Sequence, residues 1–101
     1  MNVIHVLAIL TAKPGQRAKL LRAFNANVPT VRAEAGCIEY GAAVDVDGAS
    51  PAFGPDTFVV IEKWQSMAAL KAHAVAPHMK TYGEKTRDIL AQRAVHVLDP
   101  A

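Results

Sequence analysis

The fold of this 101-residue chain follows from residues 57–64, which read TFVVIEKW. The stretch is rich in β-branched and aromatic residues, which favour a β-strand. Successive side chains of a strand point to opposite faces of a sheet, and apolar residues are found on both faces here. One face carries Phe58, Val60, Glu62 and Trp64, and the other carries Val59 and Ile61. This pattern is typical of a strand that is covered on both sides.

The beginning of the chain has the same character. Residues 3–11 read VIHVLAILT and form a second run that is apolar on both sides. Lys13, Pro14 and Gly15 then indicate a turn. From Gln16 the apolar residues recur at steps of three and four, which predicts a helix. Its apolar stripe consists of Leu20, Leu21, Phe24, Val28 and Val31.

Proline and glycine divide the middle of the chain. Pro29 predicts a kink or a restart in the first helix, because it cannot donate a backbone hydrogen bond. Gly36 is suited to a left-handed cap at the end of that helix. A second strand is predicted over residues 37–46, and the segment 47–56, rich in Gly, Pro, Ser and Asp, is predicted to be a loop.

The last third of the chain predicts two helical pieces and a final strand. Ser66 is a good N-cap for a helix that extends to about Val75, and Pro77 starts a second piece. The shared face of the second piece is expected to hold Met79, Tyr82, Thr86, Ile89 and Leu90. With a short strand over residues 94–98, the order becomes β-α-β-β-α-β, an α+β ferredoxin-like domain with a four-stranded antiparallel sheet that spans residues 1–101.

Composition excludes several classes of protein. Hydrophobic residues make up 51% of the chain and charged residues 20%, as expected for a folded globule. The net charge is only +2 and the basic residues are scattered, so nucleic acid is not an expected partner. A single cysteine, Cys37, suits a reducing compartment and is interpreted as an inert thiol or, alternatively, a nucleophile. The apolar run at residues 3–12 lacks a cationic region and is too short to span a bilayer, so we expect a cytoplasmic protein with no membrane partner.

The two-sided strands also predict an assembly. Helices of this topology cover one face of the sheet, and an uncovered apolar face is rare on soluble monomers. Burying each large apolar side chain is worth about 1.5–3 kcal/mol. A second copy of the chain laid against the sheet supplies that cover, so the sequence predicts a homodimer. The alternative is a monomer with an additional covering segment, but no segment remains unassigned.

Five stretches of sequence together resemble the antibiotic-biosynthesis-monooxygenase family, and within it the small bacterial quinol monooxygenases. These stretches are Phe24, residues 28–40 (VPTVRAEAGCIEY), residues 62–66 (EKWQS), residues 70–73 (LKAH) and residues 77–82 (PHMKTY). The resemblance covers nearly the whole chain, from the Lys13 turn to the last strand. It is a specific signal for the fold and a weak one for the substrate, because the family contains oxygenases, haem-degrading enzymes and isomerases.

The resemblance implies a dimeric α+β barrel with a pocket between sheet and helices in each subunit. Members that act on phenols or quinols often need neither metal nor flavin, because the deprotonated substrate itself passes an electron to dioxygen. The haem-degrading branch uses an Asn on the first strand and a helical Trp. Here the first strand has no Asn after Asn2, and the only Trp ends the third strand. We therefore expect no haem, flavin or metal, and dioxygen as co-substrate.

Glu62 and Trp64 share one face of their strand. A glutamate among apolar neighbours is costly to bury, and burial raises its pKa, which would suit a general base or a group that orients a histidine. The alternative is a structural carboxylate. Trp64 is interpreted either as a stacking surface for a flat aromatic substrate or as a core residue beneath the second helix.

His73 and His78 are the candidate bases, because imidazole titrates near neutral pH and can accept a phenolic proton. Either could instead be an ordinary histidine on a helix surface. The predicted substrate-binding residues are Trp64, Tyr40, Tyr82, Phe58 and Met79; the two tyrosines could also be core residues with satisfied hydroxyls. Four histidines and one cysteine show no recognised metal-ligand spacing.

Three functions are compatible with these features. The leading hypothesis is a cofactor-independent monooxygenase that acts on a small quinol-like aromatic. The second is an isomerase of a small keto compound, which needs the same base but no oxygen. The third is a non-catalytic module that binds small molecules; the fold does not decide among them.

Overall fold

A computed structural model describes residues 3–101, which form seven helices and strands around one sheet. The strands are β1 (Ile4–Ala12), β2 (Cys37–Ala43), β3 (Thr57–Trp64) and β4 (Leu90–Leu98). The helices are α1 (Arg17–Arg32), α2 (Met67–Ala74) and α3 (Pro77–Thr86). The order is the predicted β-α-β-β-α-β, with the second helical region divided into two pieces.

The four strands pair antiparallel in the order β2-β3-β1-β4. Strands β1 and β3 are therefore central, as their two-sided apolar character predicted. In the β1–β3 pair, Val6 lies opposite Glu62 and Ile4 opposite Trp64. In the β1–β4 pair, Leu10 lies opposite Arg93. These registers place the even-numbered side chains of β1 and β3 on the same face.

That face is the core, and the helices cover it except along β4, where Val95 and Val97 are 43% and 48% exposed. The fully buried side chains come from the two central strands and from α1; the largest are Trp64, Phe24, Phe58, Leu20, Val6, Val31 and Val60. Helix α1 contributes most of the predicted stripe, since Leu20, Phe24, Val28 and Val31 are buried, whereas Leu21 is half-buried at the edge of the core. The sequence therefore identified the face of α1 that packs on the sheet.

The opposite face of the sheet is uncovered in the single chain. Its apolar side chains include Leu7, Ile61 and Leu98, which are 38%, 42% and 44% exposed. Ile9 and Val59 lie among them and are half-buried. This is the face for which the sequence predicts a second copy of the chain, and the dimer remains a prediction.

The structure corrects three predicted boundaries. Helix α1 continues through Pro29 to Arg32, so of the predicted kink or restart the restart is absent; the proline lacks its own N–H, but its carbonyl still accepts a hydrogen bond from the N–H of Ala33 at 3.2 Å. Strand β2 ends at Ala43 rather than at residue 46. Ile89 and Leu90 are not helical, because α3 ends at Thr86 and β4 already begins at Leu90, four residues earlier than predicted.

Local signals at the other boundaries are confirmed. Ser66 accepts a hydrogen bond from the backbone N–H of Ala69 at 3.1 Å and so caps α2. Pro77 is the first residue of α3. Gly36 has a φ of +85° immediately before β2, the left-handed conformation predicted there. No helix within residues 3–101 combines the length and the apolar character needed to cross a membrane.

Candidate active site

A cavity of about 570 Å³ lies between the core face of the sheet and helices α2 and α3. Its floor is apolar and consists of β1 and β3 side chains such as Val6, Ala8 and Val60. Its polar groups are few: Glu62, His73, Tyr40 and Tyr82 on the walls, with Lys80, Thr86 and Arg93 around them. A largely apolar cavity with a small number of polar side chains is typical of a small-molecule site.

Glu62 is the only carboxylate in the cavity lining, and it is 7% exposed. The indole Nε1–H of Trp64 donates to Glu62 Oε1 at 2.9 Å, because the two side chains lie next to each other on the same face of β3. The second carboxylate oxygen has no hydrogen-bond partner within residues 3–101 and remains available to the cavity.

Burial raises the pKa of Glu62 above its ordinary value. The hydrogen bond from Trp64 and the electrostatic effects of His73 and Arg93 oppose that shift, and Glu34 adds to it. Desolvation is the largest of these effects. The side chain is therefore a carboxyl group with enhanced affinity for a proton, placed in an apolar wall.

His73 is 5% exposed and lies on α2 between aromatic rings. Its ring centroid lies 4.7 Å from that of Trp64 and 5.5 Å from that of Tyr40. Its Nδ1 lies 2.8 Å from Glu34 Oε2, a distance that suits a hydrogen bond between the ring and the carboxyl group. His73 lines the cavity, and its Nε2 makes no hydrogen bond within residues 3–101 and is not fully buried.

Tyr40 and Tyr82 line the cavity on either side of Phe24, which packs against both rings. Burial raises the pKa of Tyr40, and nearby carboxylates act in the same direction. Burial raises the pKa of Tyr82 to about 12, although the charge of Arg93 opposes the shift. Both phenols therefore stay protonated at neutral pH and present hydroxyl groups that can donate hydrogen bonds.

The structure separates the predicted site residues into two groups. His73, Glu62, Tyr40, Tyr82 and Met79 line the cavity. His78, Trp64 and Phe58 do not. Trp64 and Phe58 are completely buried, so Trp64 occupies the second of its two predicted positions, in the core beneath α2.

His78 lies behind the cavity wall, near the protein surface. Its Nε2 lies 3.4 Å from Glu34 Oε2, and its side chain is 25% exposed. Together with Asn27 and Tyr82 it lines a separate, shallower depression of about 220 Å³. From the sequence, His73 and His78 were equal candidates for the general base. In the structure, only His73 lines the main cavity.

Three polar residues of this region were missed by the sequence reasoning. Glu34 was named only within the stretch that carries the family resemblance, Lys80 only there and among the scattered basic residues, and Arg93 was not singled out. No spacing along the chain connects residue 34 with residue 73, because the contact depends on how α2 docks beside the end of α1. Arg93 could have been found from strand alternation had β4 been predicted to begin at Leu90, since the register places it opposite Leu10, on the core face.

Cys37 lies outside the cavity lining and is half-buried at the start of β2. Burial raises the pKa of its thiol, and the charges of Glu34 and Glu62 add to this effect. A raised pKa keeps the thiol protonated and disfavours a role as nucleophile. Within residues 3–101, no three His, Cys, Asp or Glu side chains cluster closely enough to hold a metal ion.

Comparison with known proteins gives a consistent result. The family described as antibiotic biosynthesis monooxygenase matches residues 3–85 of the chain. The chain is 38% identical over 102 residues to the Escherichia coli K12 protein named "Probable quinol monooxygenase YgiN", a match that covers 97% of this chain and 98% of that protein.

Solved structures show the same fold. PA3566 from Pseudomonas aeruginosa is 28% identical, superposes with a TM-score of 0.86 and covers 100% of this chain and 96% of its own. Rv0793 from Mycobacterium tuberculosis is 29% identical, with a TM-score of 0.82 and a coverage of 98% of this chain and 95% of its own. These similarities extend over the strands and helices that form the cavity.

Proposed function

Because the chain belongs to the antibiotic biosynthesis monooxygenase family and the relatives that it resembles are named as monooxygenases, we propose that it hydroxylates a small quinol-like aromatic with dioxygen and without a bound cofactor. The observation that carries this proposal is the position of His73. His73 lines an apolar cavity, its Nδ1 contacts a carboxylate, and its Nε2 makes no hydrogen bond within residues 3–101, an arrangement that suits a general base. The name of the Escherichia coli relative supports quinols as the substrate class.

In the proposed reaction, His73 Nε2 accepts a proton from a hydroxyl group of the bound quinol. The resulting anion is electron-rich enough to transfer an electron to dioxygen, and the two radicals combine to form a carbon–oxygen bond. One oxygen atom enters the ring and the other leaves as water. The quinol supplies all four electrons and becomes a hydroxylated quinone, so the reaction requires no external reductant.

The cavity walls support this chemistry. Its apolar floor suits a flat aromatic ring, and Tyr40 and Tyr82 offer hydroxyl groups to the substrate oxygens. Arg93 and Lys80 place positive charge around the cavity, where it would stabilise the substrate anion. Glu62, whose carboxyl group has an elevated pKa, is the second candidate for proton transfer.

The proposal is tested by incubating the metal-free protein with a panel of quinols in air and under anaerobic conditions. We expect oxygen-dependent turnover above the rate of autoxidation, with one oxygen atom from ¹⁸O₂ in the product. Replacing the base, His73→Gln, is expected to lower kcat/KM by about 100-fold or more. Glu84→Gln is the control, because Glu84 is exposed on α3 and lies outside the cavity lining.

Two outcomes would contradict the proposal. If wild type and His73→Gln oxidise every quinol at the rate of autoxidation, the protein is not a quinol monooxygenase. If substrate is converted equally well without dioxygen, the same base serves an isomerisation instead.

We further propose that the functional unit is a homodimer formed through the uncovered face of the sheet. Leu7, Ile61 and Leu98 on that face are each more than a third exposed in the single chain, and burying such side chains is favourable by about 1.5–3 kcal/mol each. The cavity lies on the opposite face of the same sheet, so dimerisation through this surface leaves its floor in place.

A further inference from the structure

Glu34 is the one carboxylate that contacts both candidate bases. It lies just beyond the end of α1, and its side chain is 17% exposed. A single oxygen, Oε2, lies 2.8 Å from His73 Nδ1 and 3.4 Å from His78 Nε2. Glu34 is absent from the cavity lining, so it does not touch a substrate bound there.

We propose that Glu34 is a positioning residue that holds His73 in the tautomer required of a base. A neutral imidazole carries one hydrogen, on either Nδ1 or Nε2. The contact with Glu34 keeps that hydrogen on Nδ1, which leaves the lone pair of Nε2 directed into the cavity. This inference rests on the proposed function, in which Nε2 accepts the proton of the quinol.

The backbone around Glu34 fixes its carboxylate. Its own N–H donates to the carbonyl of Val31 at 2.9 Å, and its carbonyl accepts a hydrogen bond from the N–H of Cys37 at 3.2 Å. These bonds hold the turn between α1 and β2 on both sides of the residue. The carboxylate is therefore attached to a defined segment and not to a free loop.

The helix that carries His73 is fixed against the same segment. The N–H of Gln65 donates to the carbonyl of Gly36 at 2.8 Å, at the connection from β3 to α2. A side chain at Gly36 would lie 2.5 Å from the Cβ of Ala69, so the two backbones approach closely only because residue 36 is a glycine. This approach sets the separation between Glu34 and His73.

His78 limits the movement of the carboxylate from its other side. Asn27 Nδ2 lies 3.5 Å from His78 Nδ1 and donates to the sulfur of Met79 at 3.4 Å, which ties α3 to α1. His78 Nε2 is thereby directed at Glu34. The two histidines thus have different tasks: His73 contacts the cavity, and His78 helps to hold the group that orients His73.

Kinetic constants distinguish a positioning role of Glu34 from a purely structural one. Removing the carboxylate by Glu34→Ala is expected to lower kcat by about tenfold or more, since the loss is at least tenfold where a carboxylate that orients a functional histidine is removed. KM is expected to change less than threefold, because Glu34 does not line the cavity. Glu34→Gln retains a neutral acceptor oxygen and is expected to fall between wild type and Glu34→Ala.

The tautomer itself is measured by two-dimensional ¹⁵N–¹H NMR of the histidine rings. We expect the wild-type His73 to show a protonated Nδ1 and an unprotonated Nε2, and Glu34→Ala to show a mixture of both tautomers. Glu84→Ala is the matched control, because Glu84 is exposed on α3 and lies outside the cavity lining. Its kinetics and its His73 spectrum should match those of the wild type.

A double variant tests whether Glu34 acts through His73. In a His73→Gln background, Glu34→Ala is expected to cause no further loss of kcat, since the group that it positions is already absent. An additional loss of the same size as in the wild type would overturn the inference, as would an unchanged tautomer and kcat in both single variants at Glu34. Neither result affects the proposed function, which is overturned separately if the wild type shows no oxygen-dependent turnover.

Discussion

Glu62 is a candidate for proton transfer, and its ionisation should also affect the stability of the folded protein. It lies in an apolar wall with one hydrogen bond, from Trp64, and burial raises its pKa above the ordinary value of 4.5. A carboxyl group with an elevated pKa binds its proton more tightly in the folded state than in the unfolded state. The residue should therefore leave a signature in the pH dependence of folding.

We expect the free energy of unfolding to contain a contribution from Glu62 that is fully present below pH 4.5 and is lost as the pH rises through the elevated folded-state pKa. The unfolded chain ionises first in that window, which favours unfolding. In Glu62→Gln this contribution is absent, so stability should decline less between pH 4.5 and neutrality. Urea unfolding of both proteins across this range measures the difference, with Glu84→Gln as control; identical pH profiles for wild type and Glu62→Gln would contradict it.

At the scale of elements, the docking of α2 beside the end of α1 determines the site. Helix α2 has only eight residues, and His73 is its only buried residue. Such a short helix is marginal by itself and depends on its tertiary contacts. The cap at Ser66 and the close approach at Gly36 supply these contacts, and together they bring His73 to Glu34.

Gly36→Ala is expected to destabilise the protein by more than Gly15→Ala. Both glycines have positive φ, +85° and +78°, so both substitutions introduce backbone strain of about 1–3 kcal/mol. At residue 36 the new methyl group also collides with Ala69. At residue 15 nothing lies within 4 Å of the new methyl group. Chemical denaturation of the two variants gives the comparison, and equal losses would show that the contact between Gly36 and Ala69 is not tight.

At the scale of the whole molecule, the sheet has one face covered by helices and one face that is not. The exposed apolar side chains on the second face, such as Leu7 and Ile61, explain why we propose a homodimer. A charged residue placed there would have to be buried without a partner on association, which is unfavourable by several kcal/mol.

Ile61→Asp is therefore expected to convert the protein to a monomer. Sedimentation equilibrium at micromolar concentration should give a mass of about twice 10.8 kDa for the wild type and one chain mass for the variant. Val46→Asp is the control, because Val46 is 78% exposed and lies in the loop after β2, outside the strands of the sheet. A wild-type mass of 10.8 kDa would exclude the dimer.

The sequence alone determined the order of the elements, the bounds of β3, the buried stripe of α1 and the left-handed glycine at position 36. Each of these depends on a local rule: alternation, helical spacing or the conformational freedom of glycine. The start of β4 at Leu90 could not be predicted from such local rules, because the residues of β4 are exposed and mixed in polarity. They form a strand because they pair with β1.

Only the tertiary structure decided which histidine faces the cavity and what holds it. His73 and His78 look alike in the sequence, five residues apart on either side of Pro77. Glu34 is 39 residues from His73, and no periodicity relates positions so far apart. Their contact arises because the chain passes through two strands before α2 returns to the end of α1, so it is a property of the packed fold rather than of any segment.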